Sequence, residues 1–253
     1  MPSRSGTAVL CCALAALGGY PARAAPPALH CTKFTSEVLP PPAPRVTAWP
    51  VKRFETINEE VRDTPYRVLF LGNSLTERFP HDAPLVWREH MQPRGVLNAG
   101  VSGDRTENLL WRLRNGNLEG KPPALIVMLI GTNDLAHDGP PRSPELAAEG
   151  IRANLLYLRR RLPKTRILLL GLLPRGASPD SELRRKTVAV NRLISGCADG
   201  RFVFYAYLGG ALLDAQGRLT AEISPDRLHF SETGYAKLAP LLDALIDNLA
   251  GRS

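Results

Sequence analysis

Ser74 lies in Gly72-Asn73-Ser74-Leu75-Thr76, directly after an apolar run, and near the other end of the chain Asp226-Arg227-Leu228-His229 places an acid three residues before an imidazole. An aspartate at that spacing can accept the Nδ1 hydrogen of the histidine, which leaves Nε2 to take a proton from a hydroxyl. A serine hydroxyl is a weak nucleophile until such a base takes its proton. Two further segments put small and polar residues after apolar runs: Asn98-Ala99-Gly100-Val101-Ser102-Gly103-Asp104 and Gly131-Thr132-Asn133-Asp134. Each piece alone is commonplace, since a serine on a turn is usually structural and an Asp-x-x-His pair is often a surface ion pair or a cap. Their order and placement together point to nucleophilic acyl chemistry.

These residues need a scaffold that brings them together. Five apolar runs, over 66–71, 95–97, 125–130, 166–170 and 201–207, read as strands, and their lack of polar alternation suits a parallel sheet covered on both faces. Residues 83–91, 105–113, 144–162 and 181–198 carry helical spacing between them. Tyr235, Leu238, Leu241, Leu242, Leu245, Ile246 and Leu249 mark one face of a last helix, which suits core packing. The expected fold class is α/β, a three-layer αβα sandwich on a five-stranded parallel sheet. Polar groups at the carboxyl ends of such strands converge on one crevice, so neighbouring first, second and third strands would bring Ser74, Gly103 and Asn133 to one mouth.

The four segments resemble the motif blocks of the SGNH or GDSL hydrolases, over about residues 67–246. Within that family, Gly103-Asp104-Arg105-Thr106-Glu107-Asn108, Leu110-Trp111-Arg112-Leu113, Gly171-Leu172-Leu173-Pro174-Arg175-Gly176 and Leu228-His229-Phe230 are most similar to the catalytic subunits of intracellular platelet-activating-factor acetylhydrolase. The resemblance implies a flavodoxin-like sandwich, Ser74 as nucleophile, Asp226 and His229 as the rest of a triad, and Gly103 and Asn133 as oxyanion-hole positions. The backbone N–H of Ser74 would be the third donor. Asn73 departs from the family's usual aspartate, and its expected role is to support the loop. The export signal and Pro-rich arm depart from the intracellular subgroup, so its phospholipid substrate and complex partners do not carry over.

The implied activity is hydrolysis of short-chain oxygen esters, above all acetyl esters, through an acyl-enzyme, with no metal or organic cofactor required. Longer acyl chains (a lysophospholipase or thioesterase), O-acyl transfer and a non-catalytic envelope-binding module are the alternatives. The expected partner is a small-molecule, glycan or lipid ester, with the chain a monomer or homodimer. Asp104, Arg105 and Arg175 follow strand ends and are candidate substrate contacts, against a reading as ion pairs or loop bonds. His30, His81, His90 and His137 lack metal-ligand spacing and read as surface or loop residues. Neither a Walker-type loop nor a G-x-S-x-G elbow occurs.

Composition agrees with one globular domain: of 253 residues 44% are apolar and 22% charged, too little charge for a disordered chain. The formal charge of +8 raises polyanions as partners, but 26 of the 32 basic residues are arginines spread along the chain. That diffuse pattern lacks the patch that phosphate contacts need, so nucleic acid is not expected and the excess reads as surface composition.

At the N-terminus Arg4, the apolar residues 7–19 and Ala22-Arg23-Ala24 read as an export signal, residues 1–24. The apolar stretch falls short of the roughly 20 residues of a spanning helix, and no transmembrane segment is expected. Residues 25–53 read as a Pro-rich extension, extended around Pro40-Pro41-Pro42-Ala43-Pro44, and 54–253 as the hydrolase domain. A periplasmic or secreted location would put Cys31 and Cys197 in an oxidising compartment, where a bridge between them and two unpaired thiols are both open.

Overall fold

The protein's structure, a computed structural model, describes residues 29–136 and 139–251. The signal reading of 1–24 and His137 lie outside the described residues. In chain order the elements are α1 (Ala48–Asp63), β1 (Val68–Gly72), α2 (Ser74–Glu77), α3 (Phe79–Asp82), α4 (Pro84–Val86), a π turn (Trp87–Met91) and a 3-10 turn (Gln92–Arg94) leading to β2 (Val96–Gly100). They continue with α5 (Thr106–Arg114), β3 (Leu125–Leu129), α6 (Thr132–Ala136), α7 (Pro144–Arg161), β4 (Arg166–Leu170), α8 (Glu182–Ser195), β5 (Val203–Ala206), a second 3-10 turn (Gly209–Leu212) and α9 (Glu232–Ala250).

All five strands pair in parallel in the order β2-β1-β3-β4-β5. Leu69, Leu71, Ile126, Met128, Leu168 and Leu169 on the three inner strands are wholly buried, as a sheet covered on both faces requires. From β1 the chain crosses to β2 on one side and returns to β3 on the other, so β1 and β3 flank the point where strand order reverses. Crevices that take ligands form at such points. α5 packs on α7 and α7 on α8, while α9 contacts β3 and β4 and the helical stretch after α3.

Three differences from the sequence reading have physical causes. Residues 48–50 are helical rather than extended, and α1 runs across the expected boundary at 53/54. Pro50 falls in the first turn of α1, where a backbone N–H has no intrahelical partner to lose. The helix expected over 83–91 runs unbroken from Pro84, though its bonding passes from α to π to 3-10, and Ala83, which precedes Pro84 and takes φ −145° and ψ 63°, separates it from α3. β2 extends through Asn98 and Gly100, which pair with Phe70 and Gly72 although neither carries an apolar signal.

The extension lies against the body. Cys31 and Cys197 form a disulfide with their Cα atoms 4.4 Å apart, and the Phe34 N–H donates to Glu149 Oε2 at 3.0 Å. The arginine excess is not only surface composition: Arg105, Arg112, Arg159 and Arg184 are buried and donate to backbone carbonyls.

Candidate active site

β1 delivers its last residue, Gly72, into a crowded turn, where a Cβ would lie 2.2 Å from Thr76 Oγ1 and 2.6 Å from the Leu129 carbonyl oxygen. Only glycine lets the chain turn there into α2. Asn73 caps α2, its Oδ1 accepting from the Leu75 N–H at 3.0 Å, so the amide does the loop-supporting work expected of this position. Ser74 follows as the first residue of the helix, 6% exposed.

His229 and Asp226 reach it from the loop before α9. His229 Nε2 is 3.0 Å from Ser74 Oγ, and His229 Nδ1 is 2.6 Å from Asp226 Oδ2. Asp226 Oδ1 accepts from the N–H groups of Leu228 and His229 at 2.9 and 2.7 Å. This wrap requires Arg227 at φ 64°, the sole non-glycine residue with positive φ among the described residues. Left-handed backbone costs a non-glycine residue about 1 to 2 kcal/mol, here offset by local hydrogen bonds including Gly176 N–H to the Arg227 carbonyl at 2.9 Å. Partial burial acts to raise the Asp226 pKa. The hydrogen bonds from the His229 ring and from the two backbone N–H groups outweigh it and hold the carboxyl below its ordinary range.

Gly103 and Asn133 complete the cluster. Gly103 has φ 81°, a left-handed conformation suited to glycine, in the loop after β2. Asn133, in α6 directly after β3, donates from Nδ2 to the Asp104 carbonyl at 3.0 Å, so its amide retains a second hydrogen for another acceptor. Residues from the ends of β1, β2 and β3 thus meet where strand order reverses.

The three candidate substrate contacts have other occupations. Asp104 is wholly buried and its Oδ2 accepts from Arg112 Nε at 2.7 Å; burial pushes its pKa up to about 6 against the pull of that arginine. Arg105 is 5% exposed and donates to the carbonyls of Asp134 and Pro140. Arg175 donates to the Thr132 carbonyl at 3.0 Å, which steadies α6. Asp104 and Arg105 are thus engaged in buried contacts inside the protein, and Arg175 is tied to the residue before Asn133.

Several supporting residues carry no signal in a single sequence. Asn98 donates to the Thr76 carbonyl at 2.6 Å, joining the end of β2 to α2. Buried Asp134 accepts from the Thr106 N–H and hydroxyl at 3.1 and 2.7 Å and from Arg142 at 2.5 Å, tying the start of α5 to α6; burial pushes its pKa up to about 6. Polar residues at strand ends are the one available cue, and it does not separate braces from ligands. His90, read as a surface residue, is half-buried with Nδ1 2.6 Å from Asp243 Oδ2 on α9.

A hydrogen-bonded Ser–His–Asp chain, its serine buried and its aspartate at the surface, at the carboxyl ends of a parallel α/β sheet suits the hydrolases of flavodoxin-like fold. Residues 70–237 match the model of the GDSL-like lipase/acylhydrolase family. The platelet-activating factor acetylhydrolase IB subunit alpha2 of Rattus norvegicus is 35% identical over 191 residues, covering 75% of this chain and 80% of its own. The alpha1 subunit of Bos taurus is 33% identical, covering 73% and 77%. Among solved structures, a GDSL-like lipase from Bacteroides thetaiotaomicron shares the fold at 22% identity and a TM-score of 0.65, covering 78% of this chain and 97% of its own. An acetylxylan esterase from Geobacillus stearothermophilus does so at 19% and 0.57, covering 74% and 96%. The chain belongs to the GDSL-like lipase/acylhydrolase family and is an esterase of that family. No helix among the described residues is long and apolar enough to cross a membrane.

Proposed function

We propose that the protein is an exported serine esterase that hydrolyses acetyl and other short-chain oxygen esters. The observation that carries this reading is the continuous hydrogen-bond path from Ser74 Oγ through His229 to Asp226. His229 Nε2 takes the hydroxyl proton as Oγ attacks the ester carbonyl, and Asp226 holds the ring in the tautomer that leaves Nε2 free. Negative charge then gathers on the carbonyl oxygen, where the N–H groups of Ser74 and Gly103 and the second Asn133 amide hydrogen donate to it. His229 returns the proton to the departing alcohol, leaving an acyl-Ser74 ester. Water attacks that ester with His229 again as base, and the carboxylic acid leaves.

The names of two relatives favour a short acyl group: an acetylhydrolase and an acetylxylan esterase both specify acetyl. Export rests on the Arg4 and 7–19 signal pattern and is supported by the Cys31–Cys197 bridge, which suits an oxidising compartment.

Rates on p-nitrophenyl esters from acetate to decanoate test the acyl assignment. Acetate is expected to give the highest kcat/KM. A steady gain with chain length, approaching about 0.8 kcal/mol per CH₂, would establish a long acyl groove and the lysophospholipase reading instead.

A further inference from the structure

Residues 102–105, which carry Gly103, are held at every position by a partner outside the loop. The Ser102 N–H donates to Glu77 Oε2, and Glu77 Oε1 accepts from Trp49 Nε1 at 2.9 Å. The Gly103 carbonyl accepts from Arg45 Nη1 at 2.9 Å. The Asp104 carbonyl accepts from Asn133. The Arg105 N–H donates to Asn108 Oδ1 at 3.0 Å, and Asn108 Nδ2 in turn donates to the Ala43 carbonyl at 3.0 Å. Three of the four grips lead to residues 43–49, which precede the family-matched region 70–237. The cation of Arg45 also lies close enough to Asp104 to favour its charged form.

The geometry has a direct consequence for the oxyanion. A glycine at φ 81° has little of its own to keep it there, and its N–H points wherever the peptide units on either side of it are turned. The peptide unit that carries the Gly103 N–H lies between two held ones: the Ser102 N–H, in the unit before it, is bonded to Glu77, and the Gly103 carbonyl, in the unit after it, to Arg45. We propose that Arg45, seconded by Trp49, is a positioning residue that sets the Gly103 N–H toward the reacting carbonyl oxygen, so that the N-terminal segment is a working part of the catalytic site. This rests on the serine-esterase reading above and adds to it a part that the family-matched region does not contain.

The test uses the full chain with Arg45→Met and Arg45→Lys, and with Trp49→Phe, which keeps an aromatic side chain at a half-exposed site and removes the N–H donor with the five-membered ring. Kinetic constants on p-nitrophenyl acetate and the melting temperature are measured for each. Arg45→Met is expected to lower kcat by about tenfold with KM within about twofold, less than the 100- to 1000-fold typical of losing an oxyanion donor outright. Added guanidinium ion at millimolar concentration is expected to restore part of the loss in Arg45→Met and none in the parent. Arg45→Lys and Trp49→Phe should fall between parent and Arg45→Met. Unchanged kcat in both Arg45→Met and Trp49→Phe would overturn the proposal, as would a loss that follows the melting temperature and resists guanidinium. Activity surviving in Ser74→Ala would overturn the serine-esterase reading, an outcome distinct from either.

Discussion

The Tyr235 hydroxyl donates to the Leu75 carbonyl at 3.0 Å across 160 residues of sequence, tying the first turn of α9 to the residue after Ser74. Its ring stacks on Phe79 with centroids 4.3 Å apart, and the side chain is 2% exposed. The loop bearing His229 enters α9 only a few residues earlier, so this bond ties the segment that carries the base to the turn that carries the hydroxyl. Tyr235→Phe keeps the stack and removes the donor, leaving a buried carbonyl without this partner at a cost of about 1 to 3 kcal/mol. Denaturant unfolding should register that loss, with kcat lowered several-fold and KM little changed.

Asp226→Asn tests the other end of the relay. The amide keeps an oxygen for the Leu228 and His229 N–H groups, but its NH₂ faces Nδ1 and favours the tautomer that carries the hydrogen on Nε2. Nε2 can then no longer accept from Ser74, and kcat should fall on the order of 10³- to 10⁴-fold. The Asp226 side chain is 54% exposed, so the melting temperature should barely move. Activity within tenfold of the parent would remove Asp226 from the mechanism.

Stability should respond to pH through Asp134, whose pKa burial raises to about 6 from 3.8. The folded chain binds this proton more tightly than the unfolded chain does. Stability due to this group is therefore greatest below pH 4, declines as pH rises from about 4 to about 6, and is flat above. Asp104, also raised to about 6, acts in the same direction. Unfolding free energies measured from pH 4 to 8 should show a shallower decline over that window in Asp134→Asn than in the parent, and identical pH profiles would contradict the assignment.

The three inner strands were legible because each is a buried, mainly Leu, Ile, Val, Phe and Met run with no face left for polar alternation, whereas β2 ends in Asn98-Ala99-Gly100 and β5 is only partly buried. The one-turn helices at Ser74–Glu77 and Thr132–Ala136 were not, since four or five residues cannot display a helical period. Ser74, Gly103, Asn133, Asp226 and His229 stood out through their order and their positions after apolar runs. The braces did not: Asp104 and Arg105 occupy the same kind of position, and only the buried contacts with Arg112 and with the Asp134 and Pro140 carbonyls distinguish them. The grip of Arg45 on the Gly103 carbonyl spans 58 residues and leaves no local pattern at either end.

Covalent trapping identifies the residue that attacks the ester. A fluorophosphonate should add one phosphonyl group to the protein, placed on Ser74 by peptide mass spectrometry, and block hydrolysis of p-nitrophenyl acetate in proportion to labelling. Ser74→Ala should take up no label, unfold as the parent does, and lose on the order of 10⁶-fold in kcat. A label on another residue, or hydrolysis that survives in Ser74→Ala, would contradict the account.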